Sequence, residues 1–273
     1  MTPGYDALRH GAAWLDLSSR GQIMARGRDA ARFLHNVSSN DVKKMKHGDA
    51  CYAFLLTPQG RIVADFDLFS LGDRFVIDTE PELRETVQRQ ILKYKVADQV
   101  ELEDVTDQVV KIGVEGPKAP QIPYPPDETR IVPFTATGQP GYRIYSTPDQ
   151  REKIVRHLEA AGVVAATPED ARTVRIENGK PRFGEDILET SLPQETEQMQ
   201  AVSFTKGCYI GQEIVERIRA RGHVNRHLVR LEIEGTEPPS PGKQTVGGQE
   251  AEVTSAVYSP EFGKVIALAY VRP

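Results

Sequence analysis

Between residues 50 and 79 the apolar side chains recur at every second position, and from 81 to 94 they recur at every third or fourth. Period two belongs to strands and period 3.6 to helices. A chain that switches between them over so short a span is restricted to architectures in which helices cover a sheet. Strands are read at 53–57, 62–69 and 74–78, with Pro58-Gln59-Gly60 as a turn. The helix at 81–94 carries Leu83, Val87, Ile91 and Leu92 as its apolar stripe. The alternation repeats on either side. Residues 21–27 read as a strand and 29–37 as a helix, ended by Ser38-Ser39-Asn40-Asp41, whose side chains bond their own backbone.

Further on, 109–116 and 142–145 read as strands and 149–161 as a helix. Residues 173–177 read as an extended segment, and the five prolines in 120–133 mark a surface connection. Segments 228–233, 251–257 and 264–271 are alternating strands separated by Gly and Pro, the pattern of a small β-barrel. The fold class expected is α+β, and 273 residues are enough for more than one domain.

A net charge of −5 and a pI near 5.8 argue against direct nucleic-acid binding, which needs a basic footprint. No apolar run reaches the length of a membrane helix. The N-terminal residues lack the layout of a secretory signal, so the expected compartment is cytoplasmic. Two cysteines, Cys51 and Cys208, make neither a disulfide framework nor a four-thiolate site, and no resident metal is expected.

Four features carry chemistry. Asp65 and Asp67 share one face of the 62–69 strand, and such a pair faces either water or a polar ligand. Glu177, with Arg175 beside it, either accepts paired hydrogen bonds from an amidine-like ring edge or forms a surface ion pair. Cys208 precedes a helix, with Lys206 two residues before it. It is either an activated thiolate or a small packing residue. Residues 206–226 hold five basic side chains against two acidic ones, which suits an anionic group or a solvated face. His223 and His227 have no partner that would complete a metal motif, and Cys51 reads as inert.

The string Lys206-Gly207-Cys208-Tyr209-Ile210-Gly211-Gln212-Glu213, followed by Arg217 and by Gly222-His223-Val224-Asn225-Arg226, resembles the signature of the YgfZ family of iron–sulfur maintenance proteins. Other shared landmarks are Asp16-Leu17-Ser18, Asn40-Asp41, Pro58-Gln59-Gly60-Arg61-Ile62, Gly116-Pro117-Lys118-Ala119 and the stretch from Arg175 to Asp186. These are shared with the wider superfamily of the glycine cleavage T-protein, an aminomethyltransferase.

The resemblance implies a multi-domain, cloverleaf-like fold that binds tetrahydrofolate. Its expected parts are a folate-binding domain from 1–50 with 112–222, a ferredoxin-like insert at 51–111 and a β-barrel at 223–273. Asp65 then aligns with the aspartate that acts beside the folate nitrogens, and Glu177 with the glutamate that holds the pterin. Arg175, Tyr142 and Arg217 are expected at the folate site, Arg217 also positioning the cysteine loop. Cys208 is expected as the working thiolate, steadied by Lys206. Partners would be iron–sulfur client enzymes or assembly factors, with a tRNA-modifying enzyme among the clients.

Departures from the T-protein pattern decide which branch is expected. Ala64-Asp65 stands where T-proteins have two aspartates, residues 136–142 replace an acidic loop, and Cys208 has no T-protein counterpart. Iron–sulfur maintenance is therefore the expected function, and tetrahydrofolate-dependent aminomethyl transfer the alternative.

Overall fold

The computed structural model describes residues 1–125 and 129–272. The chain divides into two compact units. The first takes Met1–Ser19, Asp107–Pro181 and Val229–Val271, and the second takes Arg20–Thr106 and Arg182–Leu228 with Arg272.

In chain order, the first unit begins with α1 (Pro3–His10) and β1 (Ala13–Asp16). The second unit follows with β2 (Gly21–Arg26), α2 (Ala30–Val37), β3 (Ala50–Leu56), β4 (Ile62–Ser70), β5 (Arg74–Thr79), α3 (Arg84–Leu92) and β6 (Glu101–Asp104). The chain then returns to the first unit for β7 (Val110–Glu115), β8 (Arg130–Val132), β9 (Gly141–Ser146), α4 (Arg151–Ala160), β10 (Val164–Ala165) and α5 (Pro168–Glu177). α6 (Gln212–Arg221) belongs to the second unit, and β11 (His227–Ile233), β12 (Gly242–Val246), β13 (Gln249–Ser259) and β14 (Lys264–Val271) close the chain. The α+β class holds, with a C-terminal sheet in the order β11-β14-β13-β12. Among the described residues no helix is long and apolar enough to cross a membrane.

The first unit's other sheet runs β10-β1-β7-β9-β8, antiparallel except where β1 meets β10. Ile112, Val114, Tyr142 and Ile144 from this sheet pack on Ile154 and Leu158 of α4. Two elements correct the sequence reading. The proline-rich stretch at 120–133 contains the short strand β8, while 126–128 lie outside the described residues. Residues 173–177 are the end of a helix. Thr167 and Asp170 form a reciprocal capping box with Pro168 at the first turn, which starts α5 upstream of the apolar residues. Val174 through Glu177 are all buried, and a helix end covered on every side lacks the polar stripe that marks a helix in sequence.

The second unit's sheet runs β3-β4-β5-β2-β6 and is antiparallel throughout. On one face Ile23, Ala25, Ala64, Phe66, Leu68 and Ile77 pack with Phe33 and Leu34 of α2 and Val87 and Ile91 of α3. Alternation then leaves Asp65, Asp67 and Asp78 together on the opposite face.

α6 is started by Gly211, whose φ of 83° is left-handed and whose added Cβ would meet the Thr57 carbonyl oxygen at 2.6 Å. Gly222 ends the helix with a φ of 78° and open space around it. Gly211→Ala is therefore expected to cost about 2–3 kcal/mol and Gly222→Ala only about 1 kcal/mol, read as urea midpoints. Equal losses would mean that the close approach to Thr57 does not matter.

Candidate functional site

The β3–β4 hairpin pairs Tyr52 with Asp67 and Phe54 with Asp65, so Tyr52 and Asp65 are diagonal neighbours on one face. β5 sets Asp78 opposite Asp67. Arg20 leads into β2 and Glu80 follows β5, at the end where Gly21 pairs with Thr79. Sheet register thus collects four carboxylates and a guanidinium.

Arg20 organises three of them. Its Nε donates to Asp78 Oδ1 at 2.6 Å, its Nη1 pairs with Glu80, and its Nη2 lies 3.8 Å from Asp67 Oδ2. Arg182 reaches the other oxygen of Glu80 at 2.9 Å and also holds Glu82 at 2.6 Å. Burial works against the charge on Glu80, but Arg20 and Arg182 outweigh it and hold the carboxyl below its usual range.

Asp65 is treated differently. It is 8% exposed, and its hydrogen-bond partner is a neutral phenol: Tyr52 OH donates to Oδ2 at 2.6 Å. Burial pushes the Asp65 carboxyl up to about 7. Tyr52 and Arg20 pull it down, and Glu80 and Asp67 push it further up. A water-facing sheet surface is thereby excluded for Asp65. A carboxyl poised near neutrality can take or return a proton at working pH.

Glu177, the last residue of α5, is 3% exposed. Tyr5 OH and Ser259 Oγ both donate to its Oε1, at 2.6 and 2.5 Å. Oε2 is sealed from solvent and accepts no hydrogen bond among the described residues, with Arg9 Nη1 at 3.6 Å. One carboxylate oxygen is thus fully used and the other is held only by charge. Arg175 Nη1 donates to the Lys180 carbonyl at 2.6 Å and so closes the turn after α5. Tyr142 packs edge-on against Tyr124 at 4.9 Å, and burial pushes its phenol up to about 12.

Cys208 is exposed, and Lys206 is buried. Lys206, expected to steady the Cys208 thiolate, directs its hydrogen bonds to backbone carbonyls. Its Nζ donates to the carbonyls of His35, Ser38 and Asn40, the last two at 2.5 and 2.8 Å. Lys206 therefore caps carbonyls in the last turn of α2 and just beyond it. Its ammonium also lies 5.0 Å from the Tyr209 ring centre, and burial pushes its pKa down to about 8. α6 begins only at Gln212, so Cys208 is outside its first turn. Arg217 sits on α6 half exposed, paired with Glu213 at 2.6 Å. Cys51 lies on β3, where burial pushes its thiol up to about 12 and keeps it protonated at neutral pH. His227 pairs with Glu197, and His223 contacts the Arg221 carbonyl.

Residues 3–123 match the family model described as the GCVT N-terminal domain, and residues 226–273 match the glycine cleavage T-protein C-terminal barrel domain. The chain belongs to the glycine cleavage T-protein superfamily. Proteins named aminomethyltransferase from Rubrobacter xylanophilus and Nostoc sp. are each 28% identical to it. The alignments cover 98% and 99% of this chain and 78% and 80% of those proteins. A crystal structure of glycine cleavage system aminomethyltransferase T from Bartonella henselae shares the fold, with a TM-score of 0.87 and 21% identity over 98% of this chain and 80% of that one.

Within this superfamily member, Asp65, Lys206, Cys208 and Arg217 lie in the second unit, and Glu177, Arg175 and Tyr142 in the first. Sequence reasoning missed Tyr52, Arg20 and Glu80. Tyr52 was out of reach, since a bulge between Leu55 and Leu56 shifts by one residue the register that Pro58-Gln59-Gly60 would set. Arg20 and Glu80 adjoin strand ends that pair only in the folded sheet, and no local pattern marks them.

Proposed function

We propose that this chain binds tetrahydrofolate and that Asp65 is the proton-transferring group of an aminomethyl or related one-carbon transfer. The observation that carries the reading is the buried Asp65 carboxyl at about 7, touched by Tyr52 while the other acids of its cluster are taken up by Arg20 and Arg182. The relatives named aminomethyltransferase support it.

Two residues, each within its own unit, carry chemistry that suits the pterin-bearing cofactor. Glu177 Oε2 is a buried acceptor without a hydrogen bond, suited to the N–H donors of a pterin edge. Asp65 is a carboxyl able to exchange a proton with an amine nitrogen near neutral pH. Tetrahydrofolate, when bound, supplies the amine nitrogens that accept a one-carbon unit. Tyr52 fixes Asp65 through Oδ2, which leaves Oδ1 as the atom that takes the proton. Burial of the sheet face keeps bulk water from levelling the pKa of that carboxyl.

Calorimetric titration with tetrahydrofolate and its 5-formyl form tests the reading on wild type, Glu177→Gln and Glu177→Ala. Micromolar binding is expected, weakened about tenfold or 1.4 kcal/mol in both variants. Absence of binding by a folded wild type sinks the proposal.

A second reading is iron–sulfur maintenance, and the exposed position of Cys208 within the YgfZ-like string favours it. It requires Cys208→Ala to lose the ability to sustain iron–sulfur enzyme activity in cells that lack the native gene. Full complementation by that variant would remove the thiol from the function.

A further inference from the structure

A cavity of about 480 Å³ opens beside α2 in the second unit, with Cys208 on its wall. Its charge is one-sided. Arg32, Lys43, Lys44 and Lys206 line it, and Asp41 is the carboxylate among them. Some of that charge is answered locally. Arg32 pairs with Asp98 at 2.6 Å and Asp29 at 3.3 Å, and Lys44 pairs with Asp41 at 3.1 Å.

Two cations are left without a carboxylate at ion-pair distance among the described residues. One is Lys206, whose protons go to backbone carbonyls. Carbonyls satisfy the protons but do not cancel the charge. The other is Lys43, exposed at the rim. His35, which also lines the cavity, has its pKa lowered by burial and by Lys206, so it brings little further positive charge at neutral pH. The wall therefore combines an excess of positive charge, only partly offset by Asp41, with an accessible thiol.

We propose that this cavity receives a small anionic disulfide, of the class with carboxylates flanking the sulfurs, and that Cys208 exchanges with it. The inference stands whether or not the chain binds tetrahydrofolate. In the step, Cys208 gives its proton to solvent and its Sγ attacks one sulfur of the ligand. A Cys208–S bond forms, the ligand's S–S bond breaks, and the departing half leaves as a thiolate that regains a proton. The Cys208 sulfur is formally oxidised by one electron as the departing sulfur is reduced by one, so no other oxidant is needed. The cations raise the local concentration of the anion and hold its carboxylates while the sulfurs meet.

The test compares glutathione disulfide, which is anionic, with cystamine, which is cationic. Adducts on the full chain are followed by intact-mass spectrometry, and rates are normalised to a neutral model thiol. At low ionic strength glutathione disulfide is expected to modify Cys208 at least about tenfold faster than cystamine. The preference should shrink in concentrated salt, where charges are screened within a few ångströms. Lys43→Glu/Lys44→Glu changes two exposed side chains and should abolish or reverse the preference, while Cys208→Ser should remove the adduct. Equal normalised rates on wild type overturn the proposal. So does a preference that survives the charge reversal, or an adduct that forms on Cys51 instead.

Discussion

Asp65→Asn is expected to stabilise the protein at pH 8 and to lose one-carbon transfer at the same time. The folded carboxyl titrates at about 7 against an ordinary value of 3.8. The folded state then binds more protons than the unfolded state between those values, and stability falls as pH rises through that window. At about 1.4 kcal/mol per unit, the buried charge costs on the order of 4 kcal/mol above pH 7. Asparagine keeps an oxygen for Tyr52 and carries no charge. Its amide protons recover less, so a net gain of about 2 kcal/mol at pH 8 is expected, crossing zero near about pH 5.5 and becoming a loss of about 2 kcal/mol near pH 4. Thermal melts of wild type and variant across that range measure it, and a gain independent of pH would rule out the buried charge as its source. Transfer by the wild type should rise with pH through about 7, and the variant should be slower by about 10² to 10⁴ with no such rise.

Arg20→Met is expected to be the most damaging single change in the second unit. It leaves Asp78, which is fully buried, together with Glu80 and Asp67, without the guanidinium that bridges them. Removing one member of a buried ionic network costs about 3–5 kcal/mol, because the remaining charges stay desolvated. In the wild type the depressed Glu80 carboxyl contributes stability above its unfolded pKa, and this is lost as pH falls. In the variant the Glu80 carboxyl loses one of the two guanidinium groups that depress it and rises in pKa instead, so the penalty should be largest at neutral pH and shrink toward pH 4. Urea titrations at pH 4.5 and 7.5 give the two values. A penalty of less than about 1 kcal/mol at pH 7.5 would mean that Arg182 alone can hold the cluster.

How much of this was legible in the sequence differs by residue. The sheet of the second unit was readable because its strands keep period two on a one-sided core, and Asp65 and Asp67 fell on one face from spacing alone. The environment of Asp65 was not readable, since it comes from Tyr52 across a hairpin and from Arg20 and Glu80 at strand ends. The end of α5 misled because every side of it is covered, and Glu177 gained its character from Tyr5 and Ser259, 172 and 82 residues away in sequence. The hydrogen bonds of Lys206 were not readable, because sequence proximity to Cys208 says nothing of three carbonyls more than 160 residues upstream. The superfamily itself was legible in short strings of turn and loop residues, where chemistry rather than core packing limits what can stand.

The two units are threaded through one another along the chain, and this has a consequence for how the protein is made. Met1–Ser19 must wait for Asp107–Pro181 to supply β7, the strand beside β1, and the Ser259 contact of Glu177 arrives later still. The second unit is likewise incomplete until α6 has left the ribosome. The second unit's sheet has all its strands in Arg20–Thr106, so it can form first on the growing chain while α1 and β1 remain unpaired. Such a nascent chain exposes apolar strand surface for most of its synthesis, the situation in which chaperone capture competes with aggregation.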